Sequence, residues 1–160
     1  EGRIPELDAD ARRHTEVELH LPALIPDDYL GDVHTRLMLY KRIASAPDDE
    51  VLDRLTEEMV DRFGVLPPQT ANLFQVARLR LRAAALGIRK LELGALGGRV
   101  LFFPNPPVDA LVVIRMVQKL PKVYALDGPD KLKVRLELPG AAERLRTAGD
   151  ILRVLGGTTS

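Results

Sequence analysis

Two interleaved rows of charge on one predicted helix are the residues of this chain best placed to do chemistry. Between Pro47 and Phe63, the positions Asp49, Asp53, Glu57 and Asp61 recur every fourth residue and are all acidic. Beside them Glu50, Arg54, Glu58 and Arg62 recur at the same spacing but alternate in sign, so that second row can satisfy itself. The all-acidic row is expected to lack basic partners. Like charges one helical turn apart cost roughly a few tenths of a kcal/mol each. The helix dipole favours acids at the start of the row, whereas Glu57 and Asp61 fall toward the end, where acids are mildly unfavourable. Such a row is either a solvated face or a surface that meets a basic partner.

The other candidates for chemistry are thinner. No Gly-Lys pair occurs, so there is no phosphate loop of the G-x-x-x-x-G-K-[ST] kind. Asp49-Glu50 looks like the acidic metal-binding dipeptide of ATPases, but it sits at a helix start after Pro47 and not at the end of an apolar strand. His14, His20 and His34 lack the spacing that puts two ligands on one helix face, and there is no cysteine. The only serines, Ser45 and Ser160, lie outside any nucleophile elbow. The paired carboxylates fall on exposed helix faces, where nothing drives their pKa values apart. The expectation is a domain without catalytic residues, metal or cofactor. Two basic segments remain. Arg78, Arg80, Arg82, Arg89 and Lys90 offer phosphate contacts or internal ion pairs, with no aromatic residue among them for base stacking. Lys131, Lys133 and Arg135 share one face of a strand, either as a solvated or edge-protecting surface or, with Arg78 to Lys90, as a nucleic-acid-binding module.

These residues must be held by a fold, and the pattern predicts α+β. The chain has 160 residues, 23 basic and 23 acidic. A chain of this length buries roughly 70% of its unfolded surface and needs neither metal nor disulfide to fold. Zero net charge argues against a dedicated nucleic-acid binder. No leader and no long apolar run is present, so a soluble, cytoplasmic, monomeric domain is expected. The start at Glu1, without Met, suggests a piece of a larger protein. Glu1 to His14 reads as a linker that can be disordered. Val17, Leu19 and Leu21 alternate as in a half-buried strand. A first helix is predicted over 32–45, with Val33, Leu37, Tyr40 and Ala44 on its apolar face and Asp32 paired with Arg36. Pro47 opens the second helix, where Val51, Leu55, Met59 and Phe63 form the apolar row. A third helix runs from Pro67-Pro68 to Gly87. Hairpins are predicted around Gly94–Gly98 and around Asp127–Asp130, separated by an apolar helix over 108–120 and followed by a helix over 141–155. The expected architecture is a single domain over 15–155. A three-helix lobe (about 27–87) precedes a hairpin–helix–hairpin–helix lobe (about 88–155) with a small, mainly antiparallel sheet, and 156–160 is a tail.

In order along the chain stand Arg36-Leu37, Tyr40-Lys41-Arg42-Ile43-Ala44, Asp61-Arg62-Phe63-Gly64, Leu66-Pro67, Leu79-Arg80, Leu86-Gly87-Ile88-Arg89-Lys90-Leu91 and Leu126-Asp127-Gly128-Pro129. This series resembles the C-terminal domain of the bacterial transcription-repair coupling factors, from about Thr15 to Leu155. The resemblance implies a regulatory, autoinhibitory domain. It would dock on an N-terminal module similar to the excision-repair protein UvrB and mask the surface where UvrA binds. The parent protein would be an ATP-dependent DNA translocase that displaces stalled RNA polymerase and recruits nucleotide excision repair, with ATP and Mg used in other domains. It places the docking contacts at Glu58 and Asp61, with Arg62 and Glu57 beside them. Without that contact Arg62 would cap carbonyls near Gly64. The candidate phosphate contacts are Arg78, Arg82, Arg89 and Lys90.

Overall fold

A computed structural model describes residues 14–157. The expected linker therefore lies outside the described residues except for His14, as does the tail beyond Gly157. The chain divides into two compact units, one formed by Leu21–Leu81 and the other by the flanking segments through His20 and from Arg82. The division falls inside a helix.

The Leu21–Leu81 unit is helical. Helix α1 spans Val33–Ala44, α2 spans Asp49–Phe63, and α3 spans Pro68–Ala85, crossing the boundary. Asp32 caps α1 by accepting from the Thr35 backbone N–H, and the Thr35 hydroxyl together with that N–H holds its carboxyl below the usual aspartate range. It does not pair with Arg36, whose guanidinium turns back to donate to the Leu30 carbonyl at 2.7 Å. Asp48, not Pro47, starts α2: its carboxylate accepts from Val51 N at 2.9 Å. The core gathers Ile25, Leu30, Leu39, Ile43, Leu52, Leu55, Met59 and Phe74.

The apolar row of α2 holds in its middle, with Leu55 and Met59 buried, while Val51 and Phe63 are half-buried and Leu52 is fully enclosed. The α1 face predicted from spacing is wrong. Leu39 and Ile43 are buried, whereas Val33 and Leu37 are 58% and 61% exposed. Apolar residues cover two arcs of α1, and periodicity cannot choose between them; packing against Ile25 and Leu30 does.

The second unit is built on a five-stranded sheet ordered β1-β2-β3-β5-β4. Its strands are β1 Glu16–Glu18, β2 Ile88–Gly94, β3 Gly97–Phe102, β4 Tyr124–Leu126 and β5 Lys131–Val134. Only β1–β2 is parallel. Helices α4 (Ala110–Lys119) and α5 (Ala141–Leu155) complete the unit, and α5 packs on β2. Leu91, Val100 and Leu132 stand in register across the sheet and are enclosed, so the neighbouring row Glu92, Arg99, Lys133 faces outward. The first hairpin turns tightly at Ala95-Leu96. Gly97 takes φ +106°, and a Cβ there would strike the Val134 carbonyl, while one on Gly98 would strike that of Glu92. β5 ends at Val134, shorter than the alternation through Leu138 predicts, because the backbone beyond turns to bond Val123 and Ala95. No helix among the described residues is long and apolar enough to cross a membrane.

Burial orders the effects of truncating α2. Met59→Ala is expected to cost about 2–5 kcal/mol of stability, and Phe63→Ala less, since that ring is only partly buried at the edge of the core. Urea denaturation of the two variants checks the order; the reverse order would place Phe63 in the core.

Candidate functional site

The phase that buries Leu52, Leu55 and Met59 turns the charged rows of α2 outward, and the structure sorts them unequally. Arg78 on α3 reaches the first half of the acidic row. Its guanidinium lies 3.2 Å from Asp49 Oδ1 and 2.6 Å from Asp53 Oδ1. The expectation that the row lacks basic partners is thus corrected for these two acids. Their partner comes from a helix twenty-odd positions away, which spacing on α2 cannot show.

Glu58 is held from two sides. Arg42 on α1 donates to both of its oxygens, at 3.0 and 3.1 Å, and Arg62 approaches at 3.5 Å. The Arg42 hydrogen bond draws the Glu58 carboxyl below the usual glutamate range, and the charges of Arg42 and Arg62 add to it. Of the alternating row, only the Glu58–Arg62 pair closes among the described residues. Arg62 also lies over the Phe63 ring, 4.8 Å from its centroid. It does not cap the helix end. Tyr29 does that, donating to the Gly64 carbonyl at 2.8 Å with its ring edge against Phe63.

Glu57 and Asp61 remain exposed and without an ion pair among the described residues. Next to them Val60 is 40% exposed, and Val65, just past the helix end, is 86% exposed. The result is a patch of uncompensated acid and apolar surface at the C-terminal end of α2, flanked by the Arg42–Glu58–Arg62 cluster. Sequence reasoning placed Glu57, Glu58, Asp61 and Arg62 together and missed Arg42, which lies sixteen positions from Glu58 on a different helix.

Of the candidate phosphate contacts, Arg78 lies in the helical unit and Arg82, Arg89 and Lys90 lie in the sheet unit. Arg78 is engaged by Asp49 and Asp53 in the helical unit, and Arg80 donates to the Ala44 carbonyl at 2.6 Å. Arg82 lies on α3, beyond the division between the units. Arg89 and Lys90 are consecutive positions at a β-bulge, Lys90 in register with Glu16. Lys131, Lys133 and Arg135 do share a surface, joined by Arg99. Among the described residues no group of three His, Asp or Glu could hold a metal ion.

These observations define an α+β domain whose most distinctive surface is a charged helix face. The TRCF domain family model matches residues 19–112. The transcription-repair-coupling factor of Haemophilus influenzae is 43% identical over 97% of this chain, and that of Escherichia coli is 43% identical over 96%. The factor of Myxococcus xanthus is 37% identical over 75%. The chain spans 14%, 13% and 10% of the lengths of these three relatives. A crystal structure of the C-terminal domain of a transcription-repair coupling factor superposes with a TM-score of 0.72, covering 93% of this chain and 99% of that one, at 19% identity. The chain belongs to the TRCF domain family, and its fold is that of the C-terminal domain of a transcription-repair coupling factor.

The Glu58 cluster carries a pH signature. A carboxyl whose pKa is lowered by folding stabilises the protein above the ordinary glutamate range, and this is lost as pH falls through the folded value. With the side chain 36% exposed, the contribution is under ~1 kcal/mol. Glu58→Gln is expected to lower the melting temperature slightly at neutral pH and to match wild type by about pH 2. A difference that persists undiminished in acid would mean the carboxylate is not held by Arg42.

Proposed function

We propose that this chain is the regulatory C-terminal domain of a transcription-repair coupling factor, and that it docks through the α2 face on a basic surface of an N-terminal, UvrB-like module. In that position it masks the surface that UvrA would take. The parent protein on this reading is a cytoplasmic, ATP-dependent DNA translocase that displaces stalled RNA polymerase and recruits excision repair. ATP and Mg serve other domains, and this domain contributes restraint.

One observation carries the reading. Glu57 and Asp61 lie in the half of α2 where the dipole disfavours acids, yet they lack the arginines that neutralise Asp49, Asp53 and Glu58. A helix end that carries uncompensated acids beside exposed Val60 and Val65 is suited to a basic partner with an apolar centre. Within the patch Asp61 and Glu57 make the contact. Glu58 acts beside them by holding Arg62.

Reversing both free acids tests this. Glu57→Lys with Asp61→Lys is expected to leave the melting temperature within a few degrees, because exposed charges contribute about 0–1 kcal/mol. It would place like charges against the N-terminal module, which costs several kcal/mol at an interface, so affinity for that module should fall by roughly a hundredfold or more. Calorimetric titration of the module from the same organism's factor measures it. Unchanged affinity in a folded variant would return Glu57 and Asp61 to a solvated helix face.

A further inference from the structure

We propose that the outer face of the sheet unit binds the phosphate backbone of a nucleic-acid strand through Arg99, Lys131, Lys133 and Arg135. This surface is separate from the α2 patch and does not depend on the reading given to it.

The zero net charge of the chain conceals a division. The Leu21–Leu81 unit holds seven basic and ten acidic residues, whereas the described residues of the sheet unit hold thirteen and nine. The bulk argument against a nucleic-acid surface therefore does not apply to this unit taken alone. Part of its excess is concentrated by strand register. Arg99 on β3 stands opposite Lys133 on β5, and Lys131 and Arg135 lie two positions to either side of Lys133. These cations border a hollow of about 450 Å³ that Gly94, Gly97 and Gly98 also line.

Two acids answer four cations. Glu92 lies 3.4 Å from Arg99 and also holds His20 at 2.9 Å. Asp127 is shared by Lys131 at 3.3 Å and Lys133 at 3.7 Å. Arg135 has no ion pair among the described residues. Lys131 and Lys133, alternate residues of β5, stand about 6–7 Å apart, close to the separation of successive phosphates along a nucleic-acid strand. The cationic row thus matches a repeating anion better than a single one. Base stacking plays no part: Tyr124 is in register with the buried Val134 and so lies on the inner side of the sheet. Recognition would be through phosphates, independent of sequence and sensitive to salt.

The test is fluorescence anisotropy of a labelled mixed-sequence duplex with the 160-residue chain over roughly 50–200 mM salt, where the log–log slope is expected near −3 for about three phosphates neutralised. Lys133→Glu with Arg135→Glu should weaken binding by about tenfold or more and flatten the slope. Asp127→Asn removes the built-in competitor and should tighten binding a few-fold, a gain that unfolding cannot produce. Arg115→Glu with Lys119→Glu makes the same charge change on α4 and should move the affinity by no more than about twofold. The proposal is overturned if the wild-type chain shows no binding at 50 mM salt, if the sheet pair has no effect, if the α4 pair weakens binding as much as the sheet pair, or if Asp127→Asn fails to tighten it.

Discussion

The rotation of α2 about its own axis is the constraint on which the helical unit and its surface both depend. Leu52, Leu55 and Met59 are enclosed to within 2% of full burial, and a helix with three such side chains has one orientation available to it. The Asp48 cap fixes where the helix begins, and the Tyr29 hydroxyl satisfies a carbonyl where it ends. Once that phase is set, no freedom remains for the acids. Asp49 and Asp53 come within reach of Arg78, Glu58 comes within reach of Arg42, and Glu57 and Asp61 are left facing water.

Charge sorting along this one helix gives the surface its polarity. The N-terminal acids are doubly accommodated, by the dipole and by Arg78, and so attract nothing further. At the other end the dipole opposes acid, and the one glutamate that is neutralised also holds Arg62 over the Phe63 ring. The local energetic cost at Glu57 and Asp61 is small, a few tenths of a kcal/mol by the usual measure of such contacts. A domain tolerates it easily, and a basic partner would turn it into attraction. The same logic in reverse operates on the sheet unit, where cations outnumber the acids available to pair with them.

Much of this fold could be read from the residues. The helical spacing of apolar residues, the stop at Gly87, the alternation of Lys131 to Val134 and the turn residues around Gly128 are local features that act within a few positions, and they placed every helix and both hairpins; the caps Asp32 and Asp48 emerge only in the structure. What escaped was decided at long range. The buried arc of α1 depends on Ile25 and Leu30. The strand Glu16–Glu18 pairs with residues more than seventy positions later, and nothing in its three residues names that partner. The candidate site divides the same way. Its four residues on α2 share one helix and were visible as a spacing. Arg42, Arg78 and Arg99 enter only through tertiary contacts, and without them the neutralised acids could not be told from the free ones.

The central claim is that the C-terminal half of α2 is the docking surface. Its most direct measurement is the backbone amide NMR spectrum of this chain as the N-terminal UvrB-like module is added. The account predicts shift and line-width changes centred on Glu57 to Val65 and on the neighbouring end of α1 around Arg42, with the sheet strands unmoved. Changes confined to the sheet unit, with the amides of α2 unperturbed at saturation, would contradict it.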